Sequence, residues 1–392
     1  MAAKRILMLV ATSLATDTRV MREADALVDD GYEVHIIGKA VPGDFTPRKG
    51  ITWSSAFSGS GLRPAGTPSL SGKKLLPHLR FARWLLLPQH REKSFANWAD
   101  AVHIIGSHLE FDAVHAHDFT ALAVGERLAR EHGVALVYDS HEWWFGRQRQ
   151  HRQTPLLNAR QAKEEADLAS RAVAVITVGN AIADLFRSQR KIENVFVVRN
   201  SFPQSKKRSE VTSPPRGLIY AGRIDAWREL ETITQVAPRT PLSITWMGEA
   251  DNQWAQRNVP LARAAGIEVL PSQSIEQVSA AMQKAGLALV THSNEFVSHQ
   301  LAMPNKLFHA VQAGVPVIGT DVPELHNIVT EYDLGELYQP GDAESMLAAI
   351  HRAYARHTEL VANVRAAQGA LSWESDREIL LGIYEAIFRK RR

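Results

Sequence analysis

The sequence predicts an α/β protein of two successive parallel sheets, each covered by helices. Three observations carry this: a length of 392 residues, short β-branched runs alternating with helix-period segments from the start, and a polar break between two such series. At roughly 150 residues per domain, the length suits two domains. The break, Gln204 to Gly217, is polar and charged and contains Pro214-Pro215, as a linker would.

In the first series the strand segments are Ile6 to Ala11, Val34 to Ile37, Ala113 to Ala116, Ala135 to Tyr138, Val173 to Val178 and Val195 to Val198. Between the first two, Val20, Ala24, Leu27 and Val28 share one helical face and Gly31 stands where a C-cap belongs, which completes a βαβ unit. Lys4-Arg5 before Ile6 to Val10 has the basic and apolar parts of a signal peptide. The run then passes into Thr12, Ser13, Asp17 and Arg19 without a small-residue cleavage pattern, so a buried first strand is expected instead. The second series has Leu218 to Tyr220, Ser243 to Met247, Glu268 to Leu270, Leu287 to Val290 and Val317 to Ile318. Two such halves leave a cleft between domains, and these sheets bind ligands beyond the carboxyl ends of their strands.

Composition narrows the function. Hydrophobic residues at 45% and charged residues at 22% are ordinary for a folded, soluble chain. Forty-five Lys and Arg against 42 Asp and Glu leave +3, too little to imply a nucleic-acid polymer as partner. The absence of Cys excludes disulfides, thiolate metal sites and cysteine nucleophiles, and suits a reducing, cytoplasmic setting. No run of 18 apolar residues occurs, so no transmembrane helix is expected.

Two loops of the second half carry charge-binding chemistry. After Tyr220, Gly222 lets backbone approach a ligand, while Arg223 and Arg228 at a strand end can fork diphosphate oxygens. The alternative pairs Arg228 with Asp225 or Glu231 on a solvated face. Farther on, Met303-Pro304-Asn305-Lys306-Leu307-Phe308-His309-Ala310 leads to Ala313-Gly314-Val315-Pro316-Val317-Ile318-Gly319-Thr320-Asp321. Pro304 is placed to open a helix whose free amides attract phosphate, and Gly314 to end it. In the first half, His115 and His117 fall on one face of a strand, with His117 nearer its carboxyl end. Packing within the core is the alternative for both. No pair of histidines stands at helical metal-ligand spacing with a carboxylate, so no metal is expected.

The run from Pro304 to Asp321, together with Gly222-Arg223, resembles glycosyltransferase family 4, the retaining GT-B enzymes that use nucleotide sugars. Asp17-Thr18-Arg19-Val20, Val114-His115-Ala116-His117-Asp118 and Tyr138-Asp139-Ser140-His141-Glu142 extend the resemblance over most of the chain. It implies two Rossmann-like domains whose parallel sheets face a cleft: an acceptor-side domain over residues 1–205, a linker over 206–216 and a nucleotide-sugar domain over 217–372. A last helix within 373–392 would cross back to the first domain. It also implies sugar transfer from a nucleoside diphosphate sugar, with no cofactor, to a glycan, a lipid-linked molecule or a small molecule. Peripheral contact at the cytoplasmic membrane face goes with such acceptors.

Carried over by position, Arg223 matches the family arginine on the donor diphosphate, and Arg228 stands where most members have lysine. Gly222, Pro304, Asn305 and Lys306 complete the implied donor site, and His117 faces the donor sugar. The family helix bears two glutamates, the second five residues before the glycine matched by Gly314. This chain has His309 there and Leu301 eight residues earlier, so His309 becomes the ribose contact. Glu295, in the same long loop, is the candidate substitute for the first glutamate. These departures motivate a rival reading, a binding subunit without turnover; a second rival is another GT-B enzyme such as a sugar-nucleotide epimerase. Arg19, His141, Trp143 and Trp144 are acceptor-side candidates. Lys73 to Trp98, with basic residues among Leu, Phe and Trp, reads as an amphipathic packing segment or a membrane-surface helix.

Overall fold

The computed structural model describes residues 3–56, 95–147, 155–205 and 210–389. The chain divides into two compact units, one of Met1–Thr177, Ala183–Phe196 and Leu380–Arg392, the other of Val178–Ile182 and Val197–Ile379. Each unit has its own sheet.

The strands of the first sheet are β1 (Arg5–Leu9), β2 (Glu33–Lys39), β3 (Ile51–Ala56), β4 (Ala113–His117), β5 (Ala135–Ser140), β6 (Ala174–Thr177) and β7 (Val195–Val197). Their order is β3-β2-β1-β4-β5-β6-β7. The helices between them are α1 (Thr18–Asp29), helical residues 95–106 (α2), α3 (Asp118–His132), α4 (Pro155–Ala169) and α5 (Asn180–Arg190). Central β4 and β5 are buried at every position, as parallel strands covered on both faces must be. Edge strand β3 alternates buried ends with exposed or half-exposed residues, and the sequence gives no apolar run there.

The second sheet has β8 (Gly217–Ala221), β9 (Ser243–Met247), β10 (Glu268–Leu270), β11 (Gly286–Val290), β12 (Val317–Thr320) and β13 (Gly335–Tyr338), in the order β10-β9-β8-β11-β12-β13. Its helices are α6 (Leu230–Val236), α7 (Gln253–Ala264), α8 (Ile275–Ala285), α9 (Val297–Gln300), α10 (Asn305–Ala313), α11 (Pro323–Glu331), α12 (Ala343–Ala355), α13 (His357–Ala367) and α14 (Trp373–Arg389). The pairings whose register is defined are parallel in both sheets, so β3 and β13 are edge strands beyond the sequence expectation. Strand order reverses between β1 and β4 and between β8 and β11, which leaves a crevice beyond the carboxyl ends at each reversal.

Pro304 is the N-cap of α10 rather than its first residue, and Gly314 ends the helix in the left-handed region at φ 75°. Trp98, at the end of the aromatic and basic stretch, is fully buried; residues 73–94 of that stretch lie outside the described residues, as do linker residues 206–209. The boundary between the units falls inside α14. Its first turns bring Asp376 to Arg199 at 3.0 Å and to Ser201, and its last turns set Tyr384 and Phe388 against Tyr32 with ring centres 5.8 and 5.7 Å apart.

Trp246 on β9 is fully buried in the second core, among residues that include Tyr220, Leu230 and Ile350, and its indole N–H has no partner among the described residues. Trp246→Ala should therefore cost about 3 to 5 kcal/mol, whereas Trp246→Phe, which removes the unpaired N–H with a small loss of volume, should cost about 1.5 kcal/mol or less. Urea denaturation of the second unit's transition checks this, and equal losses in both variants would contradict it.

Candidate active site

In the first unit, His115 and His117 stack with ring centres 4.3 Å apart on one face of β4, and both are fully buried. The neighbouring β5 brings Asp139 alongside, and α1 brings Arg19 and Glu23. Arg19 holds both oxygens of Asp139, through Nε at 3.0 Å and Nη2 at 2.9 and 3.0 Å. Its Nη2 lies 3.1 Å from Glu23 Oε1, close enough for an ion pair but without hydrogen-bond alignment. Tyr384 Oη meets His115 Nδ1 at 3.0 Å, while His117 Nδ1 lies 3.1 Å from His141 Nε2.

The electrostatics follow from burial. Burial pushes the Glu23 carboxyl up to about 8, with Arg19 opposing and Asp139 reinforcing the rise. Burial also works against an ionised Asp139, but Arg19 and then His141 hold it well below the usual carboxylate range. Burial lowers His117 and lowers His115 further, so both are neutral near pH 7. Against burial, the carboxylates of Asp118 and Asp139 push His141 up to about 9. Glu23, His115, His117 and Asp139 each offer a donor atom within 4.8 Å of the others, a set whose chemistry can suit a divalent ion. The Arg19 guanidinium lies against both carboxylates, and the cluster is built around that organic cation.

Trp143 turns inward and packs edge-on against Phe186 at 5.5 Å, with the Arg190 guanidinium 4.9 Å from its ring centre. Trp144 lies under the Arg147 guanidinium at 4.1 Å and tilts against Phe119 at 5.9 Å. Arg19, an acceptor-side candidate, is committed to Asp139 and Glu23.

In the second unit the loops after β8 and β11 meet. Gly222, at φ 154°, donates to Met247 O at 2.9 Å, and Ile224 donates to Glu249 O at 2.8 Å, which pins the Gly222-Arg223 turn to the end of β9. A Cβ on Gly248 would stand 1.9 Å from the carbonyl oxygen of Gly222, so this close approach admits only glycine. Trp227 and Glu229 flank Arg228 at left-handed φ values of 61° and 59°, costly for residues with a Cβ. Two bonds hold that backbone in place, Thr291 Oγ1 to Arg228 O at 2.6 Å and Ser293 N to Trp227 O at 3.0 Å, and Gly341 N fixes the Glu229 side chain through Oε2 at 2.6 Å.

Arg228 pairs with neither Asp225 nor Glu231. Among the described residues its guanidinium has no carboxylate within ion-pair distance and instead donates from Nη1 to His292 Nδ1 at 3.2 Å. Burial, with Lys306 and Arg228 nearby, holds His292 well below its ordinary pKa, so it orients Arg228 without cancelling its charge. Burial and Arg228 push Lys306 down to about 7, and its Nζ sits 5.0 Å from the Tyr220 ring centre. Arg223 is exposed and loosely paired, 3.6 Å from Asp225 and 3.4 Å from Asp251.

Beside this cationic ground lies a cavity of about 250 Å³ whose lining includes Gly222, Arg223, Gly248, Ser272, Ile275 and His309. The His309 ring stacks on Phe202 at 4.9 Å, and its Nε2 is 2.8 Å from Ser279 Oγ. Ser279 spends its own proton on Ile275 O at 2.9 Å, so it accepts from His309 Nε2–H and leaves His309 Nδ1 as an acceptor. Burial lowers the His309 pKa, which keeps that acceptor available at neutral pH. Glu295 and Asn305 are exposed, and neither lines the cavity. Sequence reasoning missed Glu23, Asp139, His292 and Ser279 as site residues; position at a strand end was the available signal for Asp139 and His292.

Residues 15–201 match the Glycosyl transferase 4-like domain, and residues 215–356 match Glycosyl transferases group 1. No curated protein sequence matches the chain. Among solved structures, sucrose-phosphate synthase from Thermosynechococcus elongatus is similar at TM-score 0.74 and 16% identity, over 99% of this chain and 100% of its own. The lipopolysaccharide outer core galactosyltransferase WaaB in its apo form gives 0.62 at 13% identity, over 99% and 100%. Anabaena HepE in complex with UDP-glucose gives 0.62 at 14%, over 98% of each chain. At such identities the likeness concerns the fold. In the described residues, no helix is long and apolar enough to cross a membrane.

The buried charge network sets a pH dependence. Glu23 keeps its proton to about pH 8 in the folded state but only to the ordinary carboxyl range when unfolded, so stability falls between those limits as pH rises. His141, raised to about 9, adds a loss that begins above its ordinary value and is complete past pH 9. Glu23→Gln stays neutral throughout and should flatten the decline of the first unit's melting temperature between pH 5 and 8. An unchanged slope in calorimetry would contradict the assignment.

Proposed function

We infer, since the chain belongs to the family 4-like glycosyltransferases of GT-B fold, that it moves a sugar from a nucleoside diphosphate sugar to an acceptor hydroxyl with retention at the anomeric carbon. The observation that carries this is the carboxylate-free group of Arg228, Lys306 and His292 beside the cavity of about 250 Å³. Unbalanced, rigidly held cations at a strand reversal suit a diphosphate, and the cavity beside them has room for a nucleoside. Solved structures of this fold hold UDP or UDP-glucose, which makes uridine diphosphate the first donor to try.

In this reading Arg223 and Arg228 hold the diphosphate, with Lys306 and the first amides of α10 behind it, and His309 Nδ1 accepts a ribose hydroxyl. As the sugar leaves, negative charge grows on the diphosphate, and the same groups stabilise it without a metal ion. His117 meets the donor sugar. The acceptor hydroxyl attacks on the face the diphosphate departs and passes its proton to the departing diphosphate oxygen, so the protein's work is positioning and charge neutralisation. A cytoplasmic location, with a glycan, lipid-linked or small-molecule acceptor, goes with this reading. Incubation with a panel of nucleoside diphosphate sugars, with release of nucleoside diphosphate and the product's anomeric configuration followed by NMR, tests it. Neither transfer nor donor hydrolysis would overturn it.

Arg223→Ala and Arg228→Ala should each weaken nucleoside diphosphate binding by about 1.5 to 3 kcal/mol, the range of a charged hydrogen bond, with folding retained. Arg228 should show the larger loss, because Arg223 already has Asp225 and Asp251 as neighbours. Calorimetric affinities unchanged in both variants would defeat the diphosphate assignment.

His309→Ala should cost about 0.5 to 1.5 kcal/mol for one lost hydrogen bond, and His309→Glu should retain or strengthen binding. Both effects should vanish with the ribose deoxy analogue that lacks the contacted hydroxyl. Should His309→Ala discriminate between 2′-deoxy and 3′-deoxy ligands as the wild type does, His309 does not read the ribose.

A further inference from the structure

We propose that His141 is a positioning residue that fixes the ring proton of His117 on Nε2, so that His117 presents a hydrogen-bond donor to its ligand. The proposal deepens the reading of His117 as a sugar contact and rests on that reading for its functional consequence alone.

His117 Nδ1 has two polar neighbours, His141 Nε2 at 3.1 Å and Asp139 Oδ2 at 3.4 Å. Two ring nitrogens at that separation share one proton, and whichever ring owns it decides what His117 Nε2 carries. If His141 donates, His117 Nδ1 accepts and the His117 proton sits on Nε2. If His117 donates, its Nε2 is bare. Among the described residues His117 Nε2 is buried and has no partner, so the choice sets what the ring offers an incoming group.

The surroundings of His141 decide between the two. Asp118, the first residue of α3, is held at a left-handed φ of 62°, a conformation that costs a residue with a Cβ and persists at sites that need it. From there its carboxylate accepts the backbone N–H of His141 at 3.1 Å and lies 3.5 Å from Nδ1. Asp139 Oδ2 lies 3.4 Å from Nε2. A carboxylate at each ring nitrogen favours the doubly protonated ring, in agreement with the rise of its pKa to about 9. An imidazolium has donors only, so the shorter contact from Nε2 runs as N–H toward His117 Nδ1. Arg19 grips Asp139 at hydrogen-bond distance, and although Asp139 favours a proton on His117, burial outweighs it and keeps that ring neutral. Of the charged groups on α1, Arg19 opposes the His141 proton and Glu23 favours it once ionised. Asp17, before α1, acts on His117 instead and favours its protonation.

The test is the tautomer itself. In the full chain labelled with ¹⁵N-histidine, long-range ¹H–¹⁵N correlation at neutral pH should find His117 protonated on Nε2. His141→Ala leaves Asp139 Oδ2 as the neighbour of Nδ1, and the proton should move to Nδ1. The same variant should lower kcat/KM for transfer about three- to tenfold, one neutral hydrogen bond's worth, with nucleoside diphosphate affinity unchanged. A wild-type His117 protonated on Nδ1, or a tautomer unchanged by His141→Ala, overturns the proposal. Should the variant fail to fold, the wild-type tautomer alone decides. If the tautomer is as expected but His117→Ala leaves transfer intact, the sugar-contact reading of His117 fails while the tautomer assignment stands.

Discussion

The bidentate grip of Arg19 on Asp139 is the constraint on which the first unit's chemistry depends. A carboxylate with no exposure at the end of β5 is strongly disfavoured by itself, and an unpaired buried ion costs several kcal/mol. Arg19 offsets that cost with bonds to both oxygens of Asp139. With Asp139 ionised, His141 can stay cationic and His117 neutral beside it. Glu23 takes the remaining side of the guanidinium and is itself pushed toward the neutral form by burial. The helix α14 reaches the same cluster through Tyr384, which ties the last turns of the chain to β4.

The second unit treats charge in the opposite way. Arg228 is oriented by a neutral imidazole, and Lys306 lies over an aromatic ring with no carboxylate in ion-pair range among the described residues. Burial and the Arg228 charge push Lys306 toward its neutral form, to about 7, the cost of placing two cations side by side without a counterion. The Arg228 carbonyl, between two left-handed residues, is held by Thr291 just past β11, while Thr232 of α6 and the amide of Gly341 hold the Glu229 carboxylate. Such a site is stabilised by an anion, and the described residues place none in ion-pair range of it. The buried cluster of the first unit carries its counterions within the fold, whereas among the described residues no carboxylate lies in ion-pair range of Arg228.

How much of this was legible depended on whether the signal was local. The central strands were readable because continuous apolar runs such as Ile6 to Val10 and Leu287 to Val290 are what a doubly covered parallel strand requires. Edge strands β3 and β13 are half-exposed and mix polar residues with apolar ones, so nothing in Ile51–Ala56 or Gly335–Tyr338 distinguishes them from a loop. Gly222, Arg223 and Arg228 were legible as one short loop. His292 was not, since it meets Arg228 only when β8 and β11 become neighbours, 64 residues apart in the chain. Tyr384 and His115 are separated by 269 residues, a contact that no local pattern encodes. Trp143 reads as a loop aromatic beside basic residues; in the fold it packs on Phe186 of α5, 43 residues farther along the chain, so its neighbour is not a local one.

The central claim is that the cations left unbalanced at the β8 and β11 ends await a nucleoside diphosphate. A crystal structure of the protein with uridine diphosphate measures this directly. The account predicts phosphate oxygens within hydrogen-bond distance of the Arg228 guanidinium and Lys306 Nζ, with the nucleoside in the cavity between Gly248 and Ile275 and a ribose hydroxyl at His309 Nδ1. A nucleotide bound with its phosphates away from Arg228 and Lys306, or a cavity that stays empty at saturating nucleotide, would contradict it.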